Sequence, residues 1–195
     1  MHPYSVVNVS LRAPARRAAL KRAPVAAEGA PAPASTPAPT TLSAVDIAHL
    51  RAAVAEAALC VPSDTAYSVG AVLTDMSGVE IARGRSREMG GREHAEEVAL
   101  IRAGERARGS TLFCSMEPCG KRLSAATPCS SRLIQSGVSR VVLAVAEPPH
   151  FIAQCSGAAD LRAAGVRVDV VTDADIATAA LAPNAHVKAV GLKKE

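Results

Sequence analysis

The sequence has no tryptophan and only two tyrosines and two phenylalanines in 195 residues, although 49% of it is hydrophobic. A core with so few rings must be built from Ala, Val, Leu and Ile, whose small side chains let helices and strands approach closely. Long apolar runs are lacking as well: none nears the roughly 20 residues that span a bilayer, and the first twenty residues lack the apolar centre of a secretory signal. These absences argue against a membrane-spanning or exported chain. The expectation is a soluble, cytoplasmic protein, with organellar transit through the Arg-rich, acid-poor start as the alternative.

A basic stripe interleaved with aromatics is also missing. The formal charge is +4, but much of the excess sits in the first forty residues, where Arg12, Arg16, Arg17, Lys21 and Arg22 face only Glu28. The remainder is near neutral, which argues against nucleic acid as a partner. Cysteine is present in an odd number, five, with no export signal, a pattern that favours reduced thiols and metal ligation over a disulfide framework.

Residues 1–41 carry Pro14, Pro24, Pro31, Pro33, Pro37 and Pro39 among Ala, Ser and Thr, and read as a disordered extension. At Ser43 a cap precedes apolar residues at helical spacing up to Cys60, and Pro62 stops that helix. Tyr67–Thr74 and Val79–Arg83 read as a hairpin about an Asp75–Gly78 turn. A helix over His94–Arg108, a strand over Thr111–Ser115, and then helices over 129–136, 157–164 and 173–181 alternate with strands over 140–146 and 166–171. Strands separated by single helices imply an α/β fold, a three-layer α/β/α sandwich on a mixed sheet, over residues 42–182, with 183–195 as a tail.

The chemistry concentrates in His94-Ala95-Glu96 and in Pro118-Cys119 with Cys129. Alone, His94 reads as a helix cap and each cysteine as a small buried hydrophobe. Together, His94, Cys119 and Cys129 supply the imidazole and thiolates of a catalytic Zn2+ site, which keeps three protein ligands and one open position. In mid-helix, residues two apart point away from each other. At the first turn, where His94 keeps a non-helical backbone, Glu96 can stand beside the metal without binding it and act as the acid/base. H-x-E followed by P-C-x-x-C marks the zinc deaminases; here nine residues, Gly120 to Pro128, separate the cysteines.

That longer spacing, in MEPCGKRLSAATPCSSRLIQSGVSRVVLAV, together with YSVGAVLTD and GRSREMGGREHAEEVAL, resembles the pyrimidine deaminases of riboflavin biosynthesis, nearer the stand-alone or fungal type than the bacterial bifunctional enzyme. The resemblance covers about residues 43 to 172. It implies a cytidine-deaminase-like fold and zinc held by His94, Cys119 and Cys129. It also implies Glu96 as the acid/base, hydrolytic deamination of a ribitylamino-pyrimidinone phosphate, and a homo-oligomer of at least two subunits. With few residues after 172, the reductase of the bifunctional enzymes is expected on another protein.

Bacterial members carry Asn-Pro before the Val-Gly-Ala strand, where this chain has Thr65-Ala66-Tyr67-Ser68, and their His-rich cysteine loop is replaced by Lys121 and Arg122. Thr65, Tyr67, Ser86 and Arg87 are therefore candidates for ring or pocket contacts, and Lys121 and Arg122 for a substrate phosphate. Glu117 reads as a structural carboxylate bonding backbone N–H groups; Cys60, Cys114 and Cys155 read as buried thiols, and His49 and His150 lack ligand spacing. Competing functions are deamination of a free cytidine or deoxycytidine nucleotide or of a secondary-metabolite precursor, and, outside catalysis, a structural zinc module closed by a fourth protein ligand.

Overall fold

The computed structural model describes residues 41–122, 126–151 and 155–187. The extension read over 1–41, apart from its last residue, part of the cysteine loop and the end of the tail lie outside the described residues.

Helix α1 (Ala44–Ala58) begins at a reciprocal cap: the Ser43 hydroxyl accepts from the Asp46 N–H at 3.1 Å and the Asp46 carboxylate accepts from the Ser43 N–H at 3.0 Å. Strands β1 (Gly70–Thr74) and β2 (Glu80–Arg85) form the expected hairpin. In its turn, Asp75 Oδ1 accepts from the N–H groups of Ser77 and Val79, and Gly78 takes a φ of 85°. The first strand starts at Gly70, three residues later than the sequence reading places it. The backbone of Ser68 instead bonds a side chain: its N–H donates to Asn184 Oδ1 at 2.7 Å and its carbonyl accepts from Asn184 Nδ2 at 3.0 Å.

Helix α2 (Ala95–Ala103) is shorter than the periodicity predicts, because Gly104 adopts a φ of 56° and a 3-10 turn (Gly104–Ala107) follows. Then come β3 (Thr111–Cys114), α3 (Cys129–Ser136), closed by left-handed Gly137, β4 (Arg140–Leu143), α4 (Gly157–Ala163), β5 (Arg167–Val170) and α5 (Ala174–Leu181). A second 3-10 turn (Ala182–Asn184) is the last element among the described residues, with Asn184 and Val187 buried. The segment read as a tail thus begins inside the fold, since Asn184 completes the hydrogen bonding of Ser68.

The five strands pair in the order β2-β1-β3-β4-β5, antiparallel from β2 to β3 and parallel from β3 to β5. Alternate residues of each central strand face opposite layers. Ala71, Leu73, Leu112, Val141 and Leu143 meet Ala95 and Ala99 of α2, Leu133 of α3 and Leu161 of α4. Val72, Phe113 and Val142 meet Leu50 and Ala53 of α1 and Ile176 and Ala180 of α5. The result is the three-layer sandwich on a mixed sheet that the element pattern implies.

The scarcity of rings shows in how tightly the layers sit. A Cβ on Gly84 would lie 2.7 Å from the Ala95 carbonyl and from Val98 Cβ, and one on Gly70 would strike the Ala53 carbonyl, so these two glycines let α2 and α1 rest on the hairpin. No helix among the described residues is long and apolar enough to cross a membrane.

Candidate metal centre and active site

The loop after β3 and the first turns of α2 and α3 converge. His94 is the N-cap of α2, with extended backbone (φ −84°, ψ 158°), and Glu96 lies one residue inside the helix. The extended cap turns the imidazole back across the helix mouth. Cys129 is the first residue of α3, behind Pro128, and Cys119 precedes the loop that leads there. Two bonds hold the loop ends together: the Cys129 N–H points at Cys119 Sγ at 3.4 Å, and the Ser130 N–H donates to the Cys119 carbonyl at 3.1 Å.

His94 Nδ1 lies 3.6 Å from Cys119 Sγ and 3.4 Å from Cys129 Sγ, and the three ligand atoms all lie within 4.8 Å of one another. A tetrahedral zinc with Zn–S of about 2.3 Å and Zn–N of about 2.0 Å sets sulfur and nitrogen roughly 3.5 Å apart. The donor set and its spacing therefore fit Zn2+. Among the described residues this is the one group of three or more His, Cys, Asp or Glu side chains close enough to hold a metal ion.

The electrostatics agree with shared ligation. The hydrogen bond from Cys129 draws the Cys119 thiol down to about 4, against burial and with help from His94. Cys129, the donor of that bond and itself buried, is pushed far up. The two sulfurs thus sit close enough to share a hydrogen bond, and a metal ion binding both takes them as thiolates. Burial works against protonation of His94, but the bond to Cys119 and the charge of Glu96 outweigh it and raise its pKa.

Glu96 is 3% exposed. Burial pushes its carboxyl up to about 7, opposed by the charge of His94 and reinforced by Cys119. An acid poised near neutrality beside a metal-binding trio suits proton transfer in both directions.

Around this centre the other sequence candidates divide. The Tyr67 hydroxyl donates to the Pro148 carbonyl at 2.8 Å, with its ring edge-on to Phe151. Buried Ser86 Oγ accepts from the Val69 N–H. Arg87, at a φ of 62°, donates to the carbonyls of Val61 and Tyr67 and to Ser68 Oγ, stitching down the 61–68 loop. Arg122 is tied to Glu97 and to the Arg92 carbonyl, with a side chain 4% exposed. The polar atoms expected to meet a ring or phosphate at these four positions bond the protein's own groups, because loops packed this closely need internal partners for their carbonyls. Thr65 and Lys121 are exposed.

Glu117 accepts from the Ala158 N–H at 2.7 Å, the structural role its position after β3 suggests. Cys114 is buried, whereas Cys60 and Cys155 are half-buried.

Two acidic residues were given no role by the sequence reading. Glu97 accepts ion pairs from Arg122 and Arg132 at 2.8 and 3.1 Å, and only its place after Glu96 pointed to it. Glu147, in the Glu-Pro pair after β4, has its carboxyl pushed up to about 7 by burial and by the sulfur of Cys119; its Oε2 is buried without a hydrogen-bond partner among the described residues.

The diaminohydroxyphosphoribosylamino-pyrimidine deaminase of Schizosaccharomyces pombe is 36% identical over 125 residues, 62% of this chain and 30% of that protein. The riboflavin biosynthesis protein RibD of Mycobacterium tuberculosis is 42% identical over 100 residues, 51% of this chain and 28% of its own length. This chain thus matches about a third or less of either relative. The Aspergillus oryzae Rib2 deaminase, solved as a C-terminal deletion mutant in complex with DARIPP, superposes with a TM-score of 0.61 at 27% identity, covering 75% of this chain and 97% of that one. Residues 43–145, more than half of the chain and including all three metal-site residues and Glu96, match the cytidine and deoxycytidylate deaminase zinc-binding region, and the chain belongs to that family.

Proposed function

We propose that this protein removes an amino group hydrolytically from a pyrimidine ring, its substrate being the ribitylamino-pyrimidinone 5′-phosphate of riboflavin biosynthesis. The observation that carries the reading is the buried carboxylate of Glu96 beside a trio of His94, Cys119 and Cys129. The substrate is supported by the S. pombe and M. tuberculosis relatives, which carry riboflavin-pathway names, and by the A. oryzae neighbour, solved with DARIPP.

Zinc bound by the trio supplies a Lewis acid that polarises water for attack on the amino-bearing carbon. Glu96 takes one proton from water and delivers it to the adjacent ring nitrogen. It then takes the second proton from the hydroxyl added to the ring carbon and passes it to the amine, so that C=O forms, the C–N bond breaks and ammonia leaves. The burial that raises the Glu96 carboxyl makes it basic enough to accept the first proton and acidic enough to give it back. Two thiolates offset the ion's charge, so an uncharged ring can enter without repulsion. On the rim, exposed Lys121 is the cation of the Lys-Arg pair that meets the phosphate, since Arg122 is held by Glu97. A homo-oligomer, as the family resemblance implies, is part of this reading.

The test is ammonia release from that pyrimidine phosphate by zinc-loaded protein, set against cytidine and deoxycytidine nucleotides. The expected kcat/KM favours the pathway intermediate by about a hundredfold or more, as a site that bonds specific ring substituents should. Preference for a cytidine nucleotide would remove the substrate assignment and leave the family standing.

A further inference from the structure

Arg122 lies between the two cysteines in sequence, yet its bonds go to the helix that carries the histidine. Its Nη1 donates to Glu97 Oε2 at 2.8 Å and its Nη2 donates to the Arg92 carbonyl at 2.7 Å. Arg92 stands two residues before His94 and Glu97 three residues after it, so one guanidinium spans the histidine from both sides. Glu97 is held in turn from α3: Arg132, three residues beyond Cys129, reaches Glu97 Oε1 at 3.1 Å. Each of the three segments that bring a ligand therefore sends a group into one ion-pair cluster. The Arg122 side chain is 4% exposed and that of Glu97 16%.

A buried ion pair is a weak source of stability, because desolvation offsets most of the attraction, and its better-attested use is to fix geometry. A planar guanidinium that grips a carboxylate and a carbonyl at once fixes distance and angle together, which an ammonium cannot do. Burial works against the guanidinium's charge, but the bond to Glu97 and the nearby sulfurs of Cys129 and Cys119 more than offset it. Positive charge at this point also compensates two thiolates drawn close together.

We propose that Arg122 is the positioning residue of the metal centre, clamping the cysteine loop across His94 so that Nδ1 and the two sulfurs keep the separation zinc requires. The proposal rests on the reading of the trio as a zinc site and adds to it a residue outside the ligand set.

The test uses the full chain, with Arg122→Gln, Arg122→Lys and, as a control, Arg83→Gln. Arg83 is ion-paired to Glu56 and Glu80 at 3.1 and 2.7 Å on the hairpin. Zinc affinity is measured by competition with a chromophoric chelator, and ligand geometry by the absorption bands of cobalt-substituted protein. Arg122→Gln is expected to weaken zinc binding by about 10- to 100-fold and to shift the cobalt bands, as loss of supporting groups around metal ligands does. Arg122→Lys should fall between it and the unaltered protein, and Arg83→Gln should leave affinity and spectrum unchanged even where it lowers the melting temperature. Should Arg122→Gln fail to fold, Glu97→Gln, which breaks the same clamp, takes its place with the same readouts.

Unchanged affinity and bands in Arg122→Gln, or an equal loss in Arg83→Gln, would overturn the clamp while leaving the zinc reading intact. Failure of the unaltered protein to bind zinc would instead remove the zinc reading on which the clamp rests.

Discussion

His94 Nδ1 lies 3.4 Å from Cys129 Sγ although the two residues are 35 positions apart in the chain. That contact joins the mouths of α2 and α3, and replacing the sulfur by oxygen weakens one of the three donors that the described residues bring together. Cys129→Ser is expected to reduce retained zinc to about a tenth of an equivalent or less after dialysis against chelator, since a trio of one imidazole and two thiolates loses one of its strong donors. Elemental analysis of the dialysed protein checks this; full retention would exclude Cys129 as a ligand.

Glu96→Gln separates chemistry from binding. The amide keeps the volume and sits beside the ligands without being one, so zinc content should be unchanged while kcat falls by about 10² to 10⁴, the range that positioned proton transfer contributes. Single-turnover kinetics with measured metal content decides it. Undiminished turnover would take Glu96 out of its role.

Gly157 at the start of α4 backs the first cysteine. A Cβ there would strike the Pro118 carbonyl, one residue before Cys119, so Gly157→Ala must move either the helix or the ligand. The expected outcome is a loss of about 1–3 kcal/mol in stability, as overpacking costs, accompanied by weaker zinc binding. Urea titration paired with chelator competition reads both, and normal zinc affinity would show that α4 gives way instead of Cys119.

Much of this was legible in the chain itself. The run of small and β-branched residues around Ala71, Val72 and Leu73 gave away the first strand of the hairpin, and Gly137 marked the end of α3. The spacing of His94, Cys119 and Cys129 named the metal site because zinc restricts its ligands to a few residue types. What escaped depended on long-range partners. The Asn184–Ser68 bonds span 116 residues and leave no periodic trace, and Arg122 reads in sequence as a cation for a substrate phosphate, its pairing with Glu97 hidden until the fold brings the two together. Gly104 ended α2 early through a left-handed backbone that the apolar spacing of its neighbours did not reveal.

Asp46 links the first helix to the sheet and sets a pH dependence. Burial tends to raise its pKa, but the bond to Arg140 and those from Ser43 prevail and lower it. Arg140 reaches Asp46 at 2.7 Å and Asp169 at 2.7 Å, joining α1, β4 and β5. A carboxylate with a depressed folded pKa adds stability above its unfolded value of about 3.9, lost as pH falls through the folded value. Asp46→Asn should therefore cost about 1–2 kcal/mol at neutral pH, with the difference from the unaltered protein shrinking below about pH 4. Urea denaturation at neutral and acidic pH tests the sign; a gap that persists in acid would place the effect in the cap and not in the charge.

The most direct measurement is zinc-edge X-ray absorption on protein purified with its metal. The expected shell is two sulfurs at about 2.3 Å, one imidazole nitrogen at about 2.0 Å and one further light atom from solvent, at one zinc per chain. A shell completed by a fourth protein side chain, or one with fewer than two sulfurs, would contradict an open site built by His94, Cys119 and Cys129.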